Sequence, residues 1–488
     1  MGQVPVYATL KRSIDFLIGI FFREVDVSGL ENVPEHGGGI VVSWHPNGLI
    51  DPALILSQLP RRVVFGARDG LFKWPGLGWL MRALGTVPIY RAIDAGEGAD
   101  PAARREANRR TLEALAREIV AGSFTALFPE GVSHDESGLV VLRTGAARLY
   151  YQAREATPPG APMPVILPVG LFYDRKDRFR SRARVAFHKV VSLPAELDRT
   201  PAADESEDVS RERARVLTEL IEQVLRDAVG ATEDWATHDS LERVRSLMVA
   251  ERERRSGTES PGETSLDTEV GAFGLIRTAY YAARERDPER IRVLRKDVDR
   301  YDKDIRNLGL ADADLDRDPR IASPWLLWLI LAQFVFVFLL LPPFLVLGFL
   351  VNAPVALAVR GLALVTAKLK KDSASMKVMI GVVLFPLAWI AVGIAGYRLH
   401  RRLDEEFALP NAPVLAGALL SFLTIVGGAA AYRYVRVARE TARSVRVRLT
   451  RRRRSYTVAR LRKERGRLYE ELRSLLLRSE RAKRSERA

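Results

Sequence analysis

The chain has 488 residues, enough for two or three domains, and contains no cysteine; a disulfide framework, a cysteine nucleophile and a thiolate metal site are therefore excluded. Its six histidines show no His-x-x-x-His or Glu-x-x-His spacing, which argues against a dedicated zinc site. The net charge of +15 comes from one end, because residues 433–488 hold 21 basic and 6 acidic side chains. A near-neutral remainder, with no aromatic interleaving in the basic tail, speaks against nucleic acid as a partner.

Taken in order, the chain opens with Tyr7 to Phe22, a basic pair followed by apolar residues and broken by Asp15. The apolar stretch is too short to span a bilayer and has no small-residue cleavage site. An interfacial amphipathic helix over 1–22 is expected, with Phe16, Phe21 and Phe22 among its anchors.

Residues 24–200 alternate strand-like and helix-like segments, as an α/β domain should. Strands are expected at Val25–Val27, Gly39–Ser43, Arg62–Ala67, Val87–Tyr90, Phe124–Phe128, Val165–Leu171 and Arg184–Phe187. Helices are expected at Ala53–Gln58, Gly78–Leu84, Arg104–Ala121 and Thr144–Arg154.

The second strand leads into Trp44-His45-Pro46-Asn47-Gly48-Leu49-Ile50-Asp51-Pro52. Pro-Asn-Gly is turn chemistry, and Asp51-Pro52 reads as the cap and first position of a helix. Such a turn can bring the Asp51 carboxylate to the His45 imidazole. The carboxylate would fix the tautomer and leave the other ring nitrogen to take a proton from a bound hydroxyl. As an isolated pair, the two residues are equally a packed histidine and a helix cap.

Three later stretches also fall at strand ends. Gly85-Thr86-Val87-Pro88-Ile89-Tyr90-Arg91 ends on a guanidinium suited to a phosphate. Phe128-Pro129-Glu130-Gly131-Val132-Ser133-His134 follows a buried strand with a carboxylate, a glycine, a hydroxyl and an imidazole. Val165 to Gly170 is a buried strand carrying Pro168, which calls for an edge position, a bend or a nearby ligand.

In this order and spacing the four stretches resemble the four blocks of the glycerol-phosphate/lysophosphatidate acyltransferase superfamily, over roughly residues 20–200. The resemblance implies an acyltransferase domain with a mixed central sheet flanked by helices. It also implies acyl transfer from acyl-CoA or acyl carrier protein, as co-substrate, to a glycerol-phosphate hydroxyl, without a cofactor or a metal. Carried over, it makes His45 the base and Asp51 its orienting partner, lets Arg91, Glu130 and Gly131 hold the glycerol phosphate, and has Pro168 shape the acyl-donor side. Ser133 joins the substrate-binding set, and Arg143 is a candidate second contact for the phosphate, beside Arg68, Lys73 and Arg148.

The usual family pattern has four residues between His and Asp; here Pro46 to Ile50 make five. That longer block, with Ser133-His134-Asp135 and Arg143-Thr144-Gly145-Ala146-Ala147-Arg148, is similar to a branch that includes the fungal glycerol-3-phosphate/dihydroxyacetone-phosphate acyltransferases. The sn-1 and sn-2 hydroxyls are then equally open as acceptors.

From 201 to 320 the chain is charged and helical, with a disordered linker expected near 256–266. Trp325–Leu341, Phe344–Val359, Val378–Tyr397 and Ala412–Tyr432 are apolar runs of 17, 16, 20 and 21 residues, against the ~20 needed to cross a bilayer. A C-terminal α-helical transmembrane domain is expected over 321–435. Between the runs, Lys370-Lys371-Asp372-Ser373-Ala374-Ser375-Met376-Lys377 is similar to a signature of the same branch; it reads either as an approach to the catalytic site or as a basic interfacial loop.

The basic tail, 436–488, fits the positive-inside rule and anionic headgroups. It places the tail and the catalytic domain, 23–200, on the cytoplasmic face. The expected function is acyl transfer to glycerol 3-phosphate or 1-acylglycerol 3-phosphate in phospholipid biosynthesis. The alternatives are another lysolipid or glycolipid acceptor, or a silent membrane scaffold. No Gly-x-Ser-x-Gly elbow supports a hydrolase.

Overall fold

The structure, a computed structural model, describes all residues except 1–2, 75, 91–99, 202–204, 231, 233–234, 257–265, 317–327, 329–341, 367–372, 408–409 and 486–488. Arg91, most of the linker expected near 256–266 and all but Trp328 of the Trp325–Leu341 run lie outside the described residues. The chain divides into two compact units: residues 1–242, 263–278 and 370–375 form one, and 243–262, 279–369 and 376–488 the other.

The first unit is built on a seven-stranded sheet: β1 (Phe22–Ser28), β2 (Gly39–Ser43), β3 (Val63–Arg68), β4 (Val87–Ile89), β5 (Phe124–Leu127), β6 (Val165–Tyr173) and β7 (Ser181–Phe187), in the spatial order β1-β7-β6-β2-β5-β3-β4. All pairings are parallel except β6 with β7, so the sheet is mixed, as expected. β2 and β5 are buried along their whole length, which is why they read as unbroken apolar runs and not as alternation.

Helices α1 (Gln3–Phe21), α2 (Ile50–Gln58), α3 (Leu77–Ala83), α4 (Pro101–Val120), α5 (Gly145–Glu155) and α6 (Glu207–Val229) flank the sheet. Leu115 and Ile119 of α4, Leu149 and Tyr150 of α5, and Leu217 and Ile221 of α6 close a core with Ile40, Val42 and Ile166 of the sheet. At roughly 1.5–3 kcal/mol for each large apolar side chain removed from water, this layer stabilises the platform on which the strand ends sit.

One expectation is corrected here, and one open alternative is excluded. Phe21 and Phe22 are buried in the core, at 4% and 1% exposure, and only Phe16, at 69%, remains outward; Phe22 already begins β1, so the chain's return to the sheet draws both rings inward. Pro168 lies in a central strand, between β7 and β2, and is not at an edge. Its carbonyl accepts the His188 N–H at 2.9 Å, just beyond the last β6–β7 pair, Val169 with Phe187. The N–H that proline lacks would point the same way, past the end of that ladder, so little pairing is lost.

The second unit is helical among its described residues. The helix Pro288–Asn307 buries Ile291, Leu294, Val298, Tyr301 and Ile305, a one-face stripe at helical spacing. Val346–Thr366, Ser373–Phe407 and Pro413–Arg436 are long and apolar enough to cross a membrane. Asn352 ties the three helices that hold them: its Nδ2 donates to the Thr424 carbonyl at 2.9 Å, and its Oδ1 accepts from Trp389 Nε1 at 3.0 Å. A Cβ on Gly348 would lie 2.1 Å from the Gly427 backbone, the close backbone approach that small residues permit between apolar helices.

Candidate active site

β2 delivers its C-terminal end to the loop that carries His45. Asp51 sits in the first turn of α2, which starts at Ile50 with Leu49 as its cap residue. The helix therefore begins earlier than the expected Asp51-Pro52 start, and the aspartate is not its cap.

The Asp51 side chain is fully buried, and its Oδ2 accepts from the Asn47 N–H at 2.7 Å and faces His45 Nδ1 at 2.8 Å. Its Oδ1 accepts from the Tyr173 hydroxyl at the end of β6. Burial first, and then the Asp51 charge, push that hydroxyl well above the ordinary tyrosine range, so it stays a donor. With Nδ1 bound to a carboxylate, the proton belongs there, and Nε2 is left with its lone pair. The imidazole is 18% exposed and stacks on Phe128, with ring centroids 4.0 Å apart and planes at 12°.

The Phe-Pro-Glu-Gly bend grips the other side of His45. Glu130, 2% exposed, accepts the His45 N–H on Oε2 at 2.8 Å, while His134 donates its own N–H to the His45 carbonyl at 3.0 Å. The Glu136 N–H reaches His134 Nδ1 at 3.2 Å, which puts the ring proton on Nε2, 2.6 Å from Glu130 Oε1. Val140 N–H also donates to that oxygen at 3.2 Å. The carboxylate expected at a phosphate is thus engaged with protein donors on both oxygens. Turned outward, this carboxylate would leave those amides without an acceptor; turned inward, its desolvation is offset by their hydrogen bonds.

Gly131 has φ +70°, so the bend needs glycine; a Cβ there would also meet the flexible Arg143 side chain at 2.9 Å. Arg143 is exposed and passes over this glycine, while Ser133 is half-buried beside it in sequence. Of the expected residues, His45, Asp51, Glu130, Gly131 and Arg143 are joined through these contacts. Pro168 lies within β6, paired alongside Val42.

Tyr173 and Lys176 were not singled out by the sequence. Lys176 Nζ donates to the Pro46 carbonyl at 3.1 Å and pairs with Asp135, and Asn47 Nδ2 donates to the Lys176 carbonyl at 2.9 Å. Tyr173 ends the strand that carries Pro168 and Lys176 follows it within a few residues, the only local signal they carry. No group of three or more potential metal-ligating side chains occurs among the described residues.

Comparison with known proteins matches two segments of the chain. The family model described as Acyltransferase matches residues 24–171, and that described as Glycerol-3-phosphate acyltransferase 2 C-terminal domain matches residues 277–480. An uncharacterized acyltransferase of Schizosaccharomyces pombe is 25% identical over 392 residues, covering 64% of this chain and 55% of that protein. Glycerol-3-phosphate O-acyltransferase 2 of Saccharomyces cerevisiae is 22% identical over 396 residues, 61% of this chain and 51% of its own length. A chloroplastic 1-acyl-sn-glycerol-3-phosphate acyltransferase of Arabidopsis thaliana is 28% identical over 125 residues, 26% of this chain and 32% of its own. The chain spans about half the length of these two fungal proteins. With the four blocks and the mixed sheet in place, residues 24–171 belong to the glycerol-phosphate/lysophosphatidate acyltransferase superfamily, and the chain as a whole is similar to the fungal glycerol-3-phosphate acyltransferases, whose C-terminal domain model matches residues 277–480.

Proposed function

We propose that the chain is a membrane-bound O-acyltransferase that esterifies a hydroxyl of glycerol 3-phosphate or 1-acylglycerol 3-phosphate, with acyl-CoA or acyl carrier protein as donor. The observation that carries this reading is the His45–Asp51 contact of 2.8 Å, beneath an imidazole whose Nε2 stays available. In the proposed step Nε2 takes the proton of the bound hydroxyl as its oxygen attacks the thioester carbonyl. The tetrahedral intermediate then collapses, the C–S bond breaks, and the thiolate recovers that proton from the imidazolium. The products are an ester and a free thiol. Asp51 stabilises the transient positive charge, and the buried Tyr173 hydroxyl and Asn47 N–H keep the carboxylate aimed.

The acceptor phosphate is assigned to Arg91, Arg143 and Ser133, with Gly131 giving the close approach and Arg68, Lys73 and Arg148 as further basic candidates. Glu130 is assigned a positioning role, through the His45 backbone, in place of a phosphate contact. Pro168 is assigned to the acyl-donor side. The relatives named for glycerol-3-phosphate and 1-acylglycerol-3-phosphate acyl transfer support this acceptor class. Three helices apolar enough to cross a bilayer support attachment to a membrane, and the basic tail supports a cytoplasmic face with anionic headgroups.

The test is transfer of a labelled acyl group by the full chain in membranes, over glycerol 3-phosphate, 1-acylglycerol 3-phosphate, other lysolipids and glycolipids. Transfer to one of the first two is expected; transfer confined to an acceptor without phosphate would overturn the assignment. Arg143→Ala should raise the acceptor KM about tenfold and leave the donor KM unchanged, since a guanidinium–phosphate contact is charge-assisted.

A further inference from the structure

The helix that carries Asp51 has no cap of its own. The first amides of a helix lack intrahelical acceptors, and Ser, Thr, Asp or Asn at the cap ordinarily supplies one. In α2 the cap residue is Leu49, with no side-chain cap bond. Asp51, the nearest candidate, has both oxygens engaged by His45, Asn47 and Tyr173. The Leu49 N–H instead donates to Ser375 Oγ at 3.0 Å, from a residue 326 positions further along the chain.

The segment 370–375 belongs to the same compact unit as the sheet. Within it Ala374 is 0% and Ser375 4% exposed, so the hydroxyl is shielded from water that would compete for it. We infer that Ser375 is a positioning residue for acyl transfer. Its oxygen fixes the N-terminus of α2, and through that helix the Asp51 carboxylate and the His45 ring. Leu49 stands two residues from each of the anchors Asn47 and Asp51, so an amide left without an acceptor here loosens the loop that connects them. Catalysis by a held base falls steeply when the reacting atoms shift by fractions of an ångström. The loss should therefore fall on turnover and not on substrate binding.

This inference rests on the reading of His45 as the base, and the experiment separates the two. Wild type, Ser375→Ala, Ser375→Thr and His45→Ala are compared as full chains in membranes, with rates expressed per mole of folded protein. For Ser375→Ala, kcat should fall about three- to tenfold, with both KM values within about twofold of wild type, and threonine, which keeps the oxygen, should restore kcat. Wild-type kcat in Ser375→Ala, a loss confined to KM, or failure of threonine to rescue would overturn the inference while an inactive His45→Ala leaves the base reading standing. Wild-type turnover by His45→Ala would overturn the base reading and the inference together.

Discussion

The two units of the chain each bury a carboxylate completely and satisfy it in opposite ways. In the sheet unit Asp51 is held by a backbone N–H, a tyrosine hydroxyl and an imidazole that still reaches solvent. In the helical unit Glu251 and Arg465 are both fully buried and paired at 3.0 Å. Arg254 and Arg255 complete the glutamate's shell, and Asp316 and the Asp312 carbonyl complete the arginine's. A buried charge enclosed by fixed opposite charges has nothing left to exchange and serves the fold. A buried carboxylate held mostly by neutral donors, with one titratable ring at its edge, can stabilise a charge that comes and goes.

That contrast can be broken by substitution. The largest effect is expected for Asp51→Asn, which removes the charge and offers the imidazole the wrong partner; kcat should drop about a thousandfold with the protein still folded. Next comes Arg465→Ala, which takes from Glu251 its buried partner but leaves it Arg254 and Arg255; it should cost about 1.5–3 kcal/mol of stability, seen as a lowered melting temperature, with kcat per folded molecule unchanged. Arg465→Met combined with Glu251→Leu should recover much of that loss. Tyr173→Phe should lower kcat about tenfold, because Asp51 keeps two of its three donors.

The smallest effect lies in the pH dependence of stability, read by hydrogen exchange on peptides of each unit. In the sheet unit His188 is held below its ordinary value of 6.5 by burial and by Arg184. The unfolded chain therefore takes up the proton first, and stability is lost as pH falls below about 6.5. In the helical unit burial opposes ionisation of Glu251, but hydrogen bonds from Arg254 and Arg255 and the charge of Arg465 prevail and hold its carboxyl at about 2, against an ordinary 4.5. That contribution is present above 4.5 and lost only as pH falls towards 2. The sheet unit should loosen first on acidification; the reverse order would contradict the assignment.

Much of this was legible in the sequence because it is local. All seven expected strands are present, since apolar runs in the inner strands, and alternation of charged and apolar residues in β1 and β7, bounded by turn residues, leave few alternatives. The His45–Asp51 pair could be read because six positions and a Pro-Asn-Gly turn limit where the carboxylate can go. The direction of Glu130 could not, because a turn residue may face solvent or the core, and only the neighbouring strand's loose backbone amide decides it. Tyr173 stands 122 positions from its partner Asp51, beyond the reach of any local pattern, while Ser375 lies in the stretch whose similarity left an approach to the catalytic site open, but its partner Leu49, 326 positions away, could not be read. The same distance hid the fate of Phe21 and Phe22, whose apolar character fits a membrane surface as well as a core.

The most direct test compares acyl transfer and melting temperature for His45→Ala and Arg465→Ala, each per mole of folded protein in membranes. The account predicts that His45→Ala loses turnover by at least about a thousandfold at an unchanged melting temperature, while Arg465→Ala does the reverse. Wild-type turnover in the folded His45→Ala protein would contradict it.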